Sequence, residues 1–260
     1  MRIAVAGKGG AGKTTFSATL ARTVARRGRE VLVIDADSNP NVAIALGIPS
    51  DAAAGIKALP ASLVSRRLTG PGLNSPVGEV IETHGVRGPD RVAVVHMAMP
   101  QHADEGCLCS AHATVSAMLA DMGEEREDLF TVMDLEASPE HFGRGTTRNV
   151  DRLFLVIEPY YRSLETARRM SELAAELPIA HVGAVANKVR SPGDADAIEA
   201  FCERHDLLLD AVLPWSDGAL DADRAKVPLI DHDPADAFVL AVEELAASLM
   251  GRLTEREVQA

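Results

Sequence analysis

Short apolar runs alternate with longer amphipathic stretches along most of this chain. The runs are rich in valine, isoleucine and leucine, a composition typical of parallel strands buried on both faces. They predict strands at residues 3–6, 30–35, 91–97, 129–134, 150–159, 180–189 and 207–214. The stretches between and after them predict helices at 16–27, 113–122, 163–177, 195–205 and 234–253, with Ser163 as N-cap of the third. The pattern therefore predicts an α/β fold, a mostly parallel central sheet with helices on both faces, in a single domain over residues 1–260.

Residues 47–90 do not follow this alternation. The stretch is rich in glycine, proline, serine and alanine, with short helical possibilities at 52–59 and 77–83. We expect an elaborated crossover between two strands of the sheet.

The first strand runs into the sequence GKGGAGKT, at residues 7–14, which has the form G-x-x-x-x-G-K-T and is followed by a predicted helix. Its glycines let the backbone curl so that successive N–H groups point at one oxyanion. Lys13 can reach the β- and γ-phosphates, and the Thr14 hydroxyl can join the ligands of a Mg²⁺ ion. We therefore predict a P-loop NTPase, with nucleotide contacts from Gly9, Gly10, Ala11, Gly12, Lys13, Thr14 and Thr15.

Cys107 and Cys109 form the second informative pattern. Cysteines two residues apart cannot share one face of a helix, but in an extended or turning loop both sulfurs can face one ion. A closed tetrahedral site takes four ligands, so a symmetric dimer would supply the other two thiolates. The pair therefore predicts a soft-metal site, with a redox switch or a buried inert pair as the alternatives. The neighbouring side chains His96, Met97, Met99, His102 and His112 are expected to be structural, as is Cys202.

Composition excludes several classes of function. The net charge of −12 and the 3% of aromatic residues argue against a nucleic-acid partner, which requires a basic face or stacking platforms. Arg22, Arg26, Arg27 and Arg29 are expected to form a solvated helix end. Since no apolar run approaches the roughly 20 residues of a membrane span, we expect no membrane partner. Three cysteines do not make a disulfide framework, and a cytoplasmic location is expected.

The phosphate loop carries a second lysine, Lys8, and in this it resembles the deviant Walker A loop of the family that includes the nitrogenase iron protein, MinD and ParA. The resemblance implies an ATP-dependent homodimer in which Lys8 reaches the nucleotide of the partner chain. The sequence DADSNPN, at residues 35–41, is similar to the first switch of that family, which implies that Asp37 positions the attacking water. Asp35 fits an ordinary turn aspartate equally well. The strand ending at Asp134 resembles Walker B, which implies a role in holding Mg²⁺.

Three segments together narrow the resemblance to the CooC-type ATPases, which insert nickel into carbon monoxide dehydrogenase. They are GCLC at 106–109, DLEASPEHFGRGT at 134–146 and EPYYRSLETA at 158–167. The resemblance implies that Cys107 and Cys109 of two chains bind Ni²⁺ or Zn²⁺ at the dimer interface and that the client is a metalloenzyme. Where that group commonly has glycine, this chain has Ser138 and Pro139, and proline has no N–H to offer a phosphate. We therefore expect slow hydrolysis.

The same superfamily contacts the base of the nucleotide near Asn187 and Lys188. A guanine reader of the N-K-x-D type has an aspartate two residues after the lysine, whereas this chain has Arg190 there, which favours adenine. The loop containing Pro214 and Trp215 is expected to close over the adenine.

Two other functions remain as alternatives. A positioning or partitioning switch of the MinD/ParA kind would need a membrane-seeking terminal helix or a basic surface, and the acidic chain offers neither. An iron–sulfur reductase like the nitrogenase iron protein would need cluster cysteines from two separate segments, and the predicted second switch has no cysteine.

Overall fold

The computed structural model describes residues 1–67, 70–99 and 108–259 of the 260, with the backbone alone at 66, 67, 70 and 254–259. Cys107, His102 and Gly106 therefore lie outside the described residues.

Ten strands are formed within this part of the chain. They are β1 (Arg2–Gly7), β2 (Val31–Ala36), β3 (Val64–Arg67), β4 (Gly70–Leu73), β5 (Val86–Arg87), β6 (Ala93–His96), β7 (Phe130–Leu135), β8 (Arg152–Ile157), β9 (His181–Val189) and β10 (Leu208–Pro214). Eight of them form one sheet in the order β10-β9-β8-β1-β7-β2-β6-β5, and β3 pairs with β4 as a separate hairpin. All neighbours in the large sheet are parallel except β5 and β6, so the carboxyl ends of β1, β2, β7, β8 and β9 meet at one edge.

The helices of the described chain number eleven. They are α1 (Lys13–Arg26), α2 (Val42–Ala45), α3 (Ser50–Ala54), α4 (Val77–His84), α5 (Cys109–Glu125), α6 (Glu140–Gly143), α7 (Tyr161–Ala175), α8 (Pro192–Arg204), α9 (Asp217–Ala225), α10 (Leu229–His232) and α11 (Ala237–Gln259). No helix of the described residues combines the length and apolar character that a membrane span requires.

Alternate side chains of the strands pack into two hydrophobic cores, one on each face of the sheet. Ile3 and Val5 of β1 pack with α1 and α11 on one face, whereas Ala4 and Ala6 pack with α4, α5, α7 and α8 on the other. All four side chains are at most 1% exposed. Burial on both faces explains why these strands read as continuous apolar runs, and it confirms the predicted layering of helices on both sides of a mostly parallel sheet.

The seven predicted strands all form, with ends that shift by at most two residues. The crossover at 47–90 is more elaborate than its two predicted helices. It contains the β3–β4 hairpin and the edge strand β5, and the helix predicted at 52–59 is wrong because α3 spans only Ser50–Ala54. Short strands with one turn between them carry too few residues for a period to show.

The five helices predicted outside residues 47–90 all form, but their starts differ from the predicted ones by two to four residues. The N-cap of α7 is Tyr160, not Ser163, whose Oγ instead accepts a hydrogen bond of 2.9 Å from the N–H of Glu158. Ser163 therefore stabilises the turn before α7 instead of capping the helix. Helix α5 begins at Cys109, four residues before the predicted start.

Arg22 is a further correction, because it does not belong to a solvated helix end. Its guanidinium is 4% exposed and forms ion pairs with Asp90 and Asp231, the latter at 2.6 Å, while Nη1 also donates to the carbonyl of Leu46. The arginine ties the middle of α1 to two distant turns.

Candidate functional site

The loop between β1 and α1 lies at the carboxyl edge of the sheet and is shaped by three glycines with positive φ. Gly7, Gly10 and Gly12 have φ angles of 147°, 81° and 93°, a region in which side chains with a Cβ are strained. At two of these glycines the surrounding atoms also leave no room for a Cβ atom. A Cβ on Gly7 would lie 2.4 Å from the carbonyl oxygen of Val156, and one on Gly12 would lie 2.3 Å from Nδ2 of Asn187.

Helix α1 begins immediately after Gly12, and no side chain of the described residues caps this end. Its first N–H groups, those of Lys13, Thr14 and Thr15, therefore face the loop with the positive end of the helix dipole. This arrangement suits a phosphate.

Lys13 is 7% exposed, and its ammonium lies 3.5 Å from the carbonyl oxygen of Lys8. Burial lowers its pKa, and the charges of Asp134, Asp37 and Glu136 oppose that shift. These carboxylates come from the ends of β2 and β7, so the structure brings together Lys13, Asp37 and Asp134 as the sequence predicts.

Asp134 lies at 1% exposure between two hydroxyls of α1. The hydroxyl of Thr14 donates to Oδ2 at 2.7 Å, and that of Ser17 donates to Oδ1 at 2.8 Å. Burial raises the pKa of Asp134 to about 6, against the effect of these two hydrogen bonds. Ser17 was missed by sequence reasoning, although its position three residues after Thr14 places both on one helix face.

The chemistry of this donor set fits Mg²⁺. The ion prefers oxygen ligands and keeps several waters, so one hydroxyl and one carboxylate at the edge of the loop are a suitable protein contribution. Thr14 and Asp134 supply these two oxygens within 2.7 Å of each other.

Two predicted base-contacting residues hold the loop in this structure. The amide of Asn187 donates to the carbonyl of Ala11 at 2.7 Å, and the ammonium of Lys188 donates to the carbonyl of Gly10. These contacts are with the phosphate loop, so contact of either side chain with a base stays a prediction. Trp215 is tied to the same edge, because its backbone N–H donates to the carbonyl of Val189 at 2.9 Å.

Pro214 ends β10 just before Trp215. The guanidinium of Arg190 lies 3.7 Å from the centre of the Trp215 ring, a cation–π contact. The arginine that replaces the aspartate of a guanine reader therefore stacks on the predicted adenine loop.

A polar chain that the sequence did not reveal follows β8. Glu158 is buried, forms an ion pair of 2.9 Å with Lys188 and accepts a hydrogen bond from the hydroxyl of Tyr160. The ammonium of Lys8 lies 5.9 Å from the centre of the Tyr160 ring. Lys8 is thus at the rim of the loop, against an aromatic ring that is 42% exposed.

The two aspartates after β2 have different surroundings. Asp35 is fully buried and accepts hydrogen bonds from the N–H groups of Val42, at 2.9 Å, and Asp37. Burial raises its pKa to about 7. These contacts make Asp35 a turn-stabilising residue, whereas Asp37 is partly exposed and accepts a hydrogen bond of 2.8 Å from the N–H of Asn39.

The segment after β7 comes close to the phosphate loop at Ala137 and contacts Cys109 through Arg144. Ala137 lies 3.7 Å from the position of a Cβ on Gly9. Further along, Arg144 donates from Nη1 to the sulfur of Cys109 at 2.8 Å and from Nε to Glu140 at 3.1 Å. Cys109 is exposed in the first turn of α5, so the inert-core alternative does not fit this cysteine.

Pro139 is accommodated as the N-cap of α6. Proline has no N–H, so no hydrogen bond is lost at this position, and the backbone N–H of Glu140 donates to the hydroxyl oxygen of Ser138 at 3.2 Å.

Two buried histidines pack beneath this segment. The rings of His112 and His141 are edge to face with centres 4.7 Å apart, and Nδ1 of His112 is 2.8 Å from the hydroxyl oxygen of Thr146. Burial lowers the pKa of both, to about 3 for His141, which favours the neutral form of the rings. His96 and Met97 are also buried, as expected of structural side chains, and so is Cys202.

The described side chains contain no group of three or more His, Cys, Asp or Glu placed to hold a metal ion. The predicted metal site requires Cys107, which lies outside them, so the ligand set stays a prediction.

Comparison with known proteins identifies a nucleotide-binding family and similar relatives. Residues 3–234 match the family described as the CobQ/CobB/MinD/ParA nucleotide binding domain. The chain is 35% identical over 266 residues to the carbon monoxide dehydrogenase accessory protein CooC of Rhodospirillum rubrum, covering 98% of this chain and 97% of that protein. It is also 35% identical over 203 residues to an uncharacterized ATP-binding protein of Methanocaldococcus jannaschii, covering 74% of this chain and 76% of the relative.

Among solved structures, the fold is similar to that of the septum site-determining protein MinD of Pyrococcus horikoshii, complexed with Mg-ADP. The TM-score is 0.69 at 18% identity, with 95% of each chain covered. The likeness confirms the predicted α/β P-loop NTPase fold.

Proposed function

The chain belongs to the family of CobQ/CobB/MinD/ParA nucleotide-binding domains, and from that premise we propose that it is an ATPase that dimerises on binding ATP and delivers a soft metal ion to a client metalloenzyme. We take nickel as the cargo and carbon monoxide dehydrogenase as the client. The observation that carries the proposal is the similarity to CooC over 98% of the chain. The exposed Cys109, joined by Arg144 to the segment after Asp134, supports it.

In this proposal the first N–H groups of α1 and the ammonium of Lys13 bind the phosphates of ATP. Thr14 and Asp134 hold Mg²⁺, which when bound neutralises phosphate charge. Asn187, Lys188, Pro214 and Trp215 form the adenine end.

Hydrolysis uses residues from both chains of the dimer. Asp37 orients a water molecule toward the γ-phosphorus, the water oxygen bonds to it, and the bond to the β–γ bridging oxygen breaks to give ADP and phosphate. Lys8 of each chain leaves its position over Tyr160 and reaches the nucleotide of the partner chain, where its charge stabilises the transition state.

The cargo site is formed by Cys107 and Cys109 of both chains. Four thiolates around a two-fold axis give the tetrahedral sulfur set that soft divalent metals accept. Opening of the dimer after hydrolysis separates the ligands into two pairs, and the metal is released because each pair alone binds it weakly.

Metal content measured together with molecular mass tests the proposal. We expect one nickel ion per two chains when ATP and Mg²⁺ are present, and loss of that nickel in Cys109→Ser. Cys202→Ala is the matched control, because this cysteine is 3% exposed in the core and its loss should leave metal binding unchanged.

Two outcomes would contradict the proposal. Nickel binding that survives Cys109→Ser would exclude the cysteine site. A dimer that forms with ATP and carries no metal under reducing, nickel-replete conditions would favour a positioning switch instead.

A further inference from the structure

Two consecutive residues of β9 hold two consecutive carbonyls of the phosphate loop. The amide of Asn187 donates to the carbonyl of Ala11 at 2.7 Å, and the ammonium of Lys188 donates to the carbonyl of Gly10. In a planar trans peptide the C=O and the next N–H point in opposite directions. Anchoring a carbonyl therefore turns the following N–H away from the anchoring side chain, and that of Ala11 donates across the loop to the carbonyl of Lys8 at 3.1 Å. Successive N–H groups oriented in this way are what a phosphate-binding loop requires.

Lys188 makes its contact from a strained backbone. Its φ is 59°, in the left-handed region that residues with a Cβ rarely adopt. Its backbone N–H donates to the side-chain oxygen of Asn187 at 2.9 Å. Glycine would adopt this conformation without strain but would leave the carbonyl of Gly10 without its ammonium donor. What the lysine side chain holds offsets the strain at this position.

A buried carboxylate fixes the ammonium of Lys188. Glu158 is 5% exposed, and its Oε1 lies 2.9 Å from Nζ of Lys188. Its Oε2 accepts a hydrogen bond from the hydroxyl of Tyr160, and its backbone N–H donates to Oγ of Ser163 at 2.9 Å. Both carboxylate oxygens have a partner, which fixes the orientation of the group. An ammonium on the flexible four-carbon stem of lysine gains a defined position from such an acceptor.

The sheet order explains why a residue after β8 can act on the phosphate loop. Strand β8 lies between β1, which runs into the loop, and β9, which carries Lys188 near its end. Val156 of β8 pairs with Gly7 of β1, and the last residue of β8 pairs with Ala186 of β9. Glu158 follows β8 directly, so it stands at the carboxyl edge between the two strands that carry the loop and its anchor.

We propose that Glu158 is a positioning residue of the nucleotide site. Its carboxylate holds Lys188, and Lys188 holds the carbonyl of Gly10, so that the N–H of Ala11 is presented on the opposite side of the same peptide. Glu158 acts through Lys188 and not by its own contact with a phosphate, which its negative charge would repel. The inference rests on the nucleotide-binding part of the proposed function, since it assigns a further residue to that same site.

Isothermal titration with Mg-ADP tests this role. Glu158→Gln keeps the shape of the side chain and removes its charge, so Lys188 is held less firmly and the affinity for Mg-ADP should fall at least fivefold. Lys188→Met should lower it by at least the same factor. Glu165→Gln is the matched control, because this glutamate of α7 is ion-paired with Arg168 and Arg169 of its own helix; its affinity should stay within 1.5-fold of the wild type.

A double-mutant cycle separates positioning through Lys188 from a merely structural role. In the Lys188→Met background, Glu158→Gln should change Mg-ADP affinity less than twofold, because the side chain through which the carboxylate acts is gone. Losses that multiply in the double variant would overturn the inference. So would a Glu158→Gln protein that binds Mg-ADP as tightly as the wild type.

A second readout needs neither nucleotide nor a variant of Lys188. Hydrogen exchange followed by NMR reports on the amide of Ala11, whose N–H donates to the carbonyl of Lys8. In Glu158→Gln this amide should exchange at least fivefold faster than in the wild type. The amide of Val33, in the buried strand β2, should be unchanged. Equal acceleration at both amides, or none at either, would overturn the inference.

The outcomes separate the two proposals. If no nickel is carried but Glu158 and Lys188 are coupled in Mg-ADP binding as stated, the proposed function fails and the role of Glu158 stands. If nickel binds between two chains and Glu158→Gln matches the wild type in both readouts, the role of Glu158 fails alone.

Discussion

Gly12 is constrained both by its backbone angle and by a neighbour from the opposite end of the chain. Its φ is 93°, and a Cβ there would lie 2.3 Å from Nδ2 of Asn187, which itself holds the carbonyl of Ala11. Gly10 has a similar φ, 81°, but among the described residues nothing lies within 4 Å of its Cβ position. The two glycines therefore separate backbone strain from crowding.

We predict that Gly12→Ala lowers ADP affinity at least tenfold, whereas Gly10→Ala lowers it less. Both pay the left-handed backbone strain of about 1–2 kcal/mol, but only Gly12→Ala also displaces Asn187 and with it the carbonyl of Ala11. Isothermal titration with Mg-ADP measures both. Equal losses in the two variants would show that strain alone decides, and the crowding argument would be wrong.

The motif predicts the phosphate-binding residues because their spacing reflects local backbone geometry. It does not predict why Gly7 and Gly12 must be glycine here, since the crowding atoms belong to Val156 and Asn187, far away in the chain. The same holds for Glu158, which holds Lys188 at the loop. Such partners become visible only when parallel strands bring distant strand ends to one edge.

At the scale of elements, α1 is tied to the rest of the molecule by Arg22. This side chain is 4% exposed and pairs with Asp90 and Asp231, 68 and 209 residues away in sequence. Arg26, one turn later, pairs with the same two aspartates but is 37% exposed. The helix pattern places both arginines on α1 and cannot distinguish them, because it carries no information on the turns that supply the acceptors.

We predict that Arg22→Met lowers the free energy of unfolding by about 3 kcal/mol, because it removes the buried partner of two carboxylates and leaves the Leu46 carbonyl without its donor. Arg26→Met is the matched control and should cost less than about 1 kcal/mol, as exposed ion pairs do. Urea denaturation followed by circular dichroism measures both. A loss at Arg22 no larger than that at Arg26 would mean that solvent replaces the ion pairs at no cost.

At the scale of the whole molecule, the layering of helices on both faces of a mostly parallel sheet could be predicted from the sequence. The run at residues 153–157 is apolar throughout because both faces of the strand are covered, and such runs predict parallel strands with helices on each side. The hairpin β3–β4 and the edge strand β5 could not be predicted, since strands of two to four residues leave no periodic signal. The sequence predicts Cys109 in a loop before the helix, whereas Cys109 is the first residue of α5 and contacts Arg144, 35 residues further along the chain.

Lys8 is the residue whose substitution best tests dimerisation, because Lys13 already supplies the phosphate-binding lysine within one chain. Lys13 is 7% exposed inside the loop, whereas the ammonium of Lys8 lies over the exposed ring of Tyr160. If Lys8 acts across a dimer interface, Lys8→Ala should leave Mg-ADP affinity within threefold of the wild type, abolish the dimer formed with AMP-PNP and lower the rate of ATP hydrolysis at least tenfold. Lys13→Ala, the control within one chain, should lose nucleotide binding itself.

Light scattering after size-exclusion chromatography, together with titration of Mg-ADP, distinguishes the two lysines. A Lys8→Ala protein that still dimerises and hydrolyses ATP at the wild-type rate would place Lys8 on an ordinary surface and remove the basis for a shared nucleotide site.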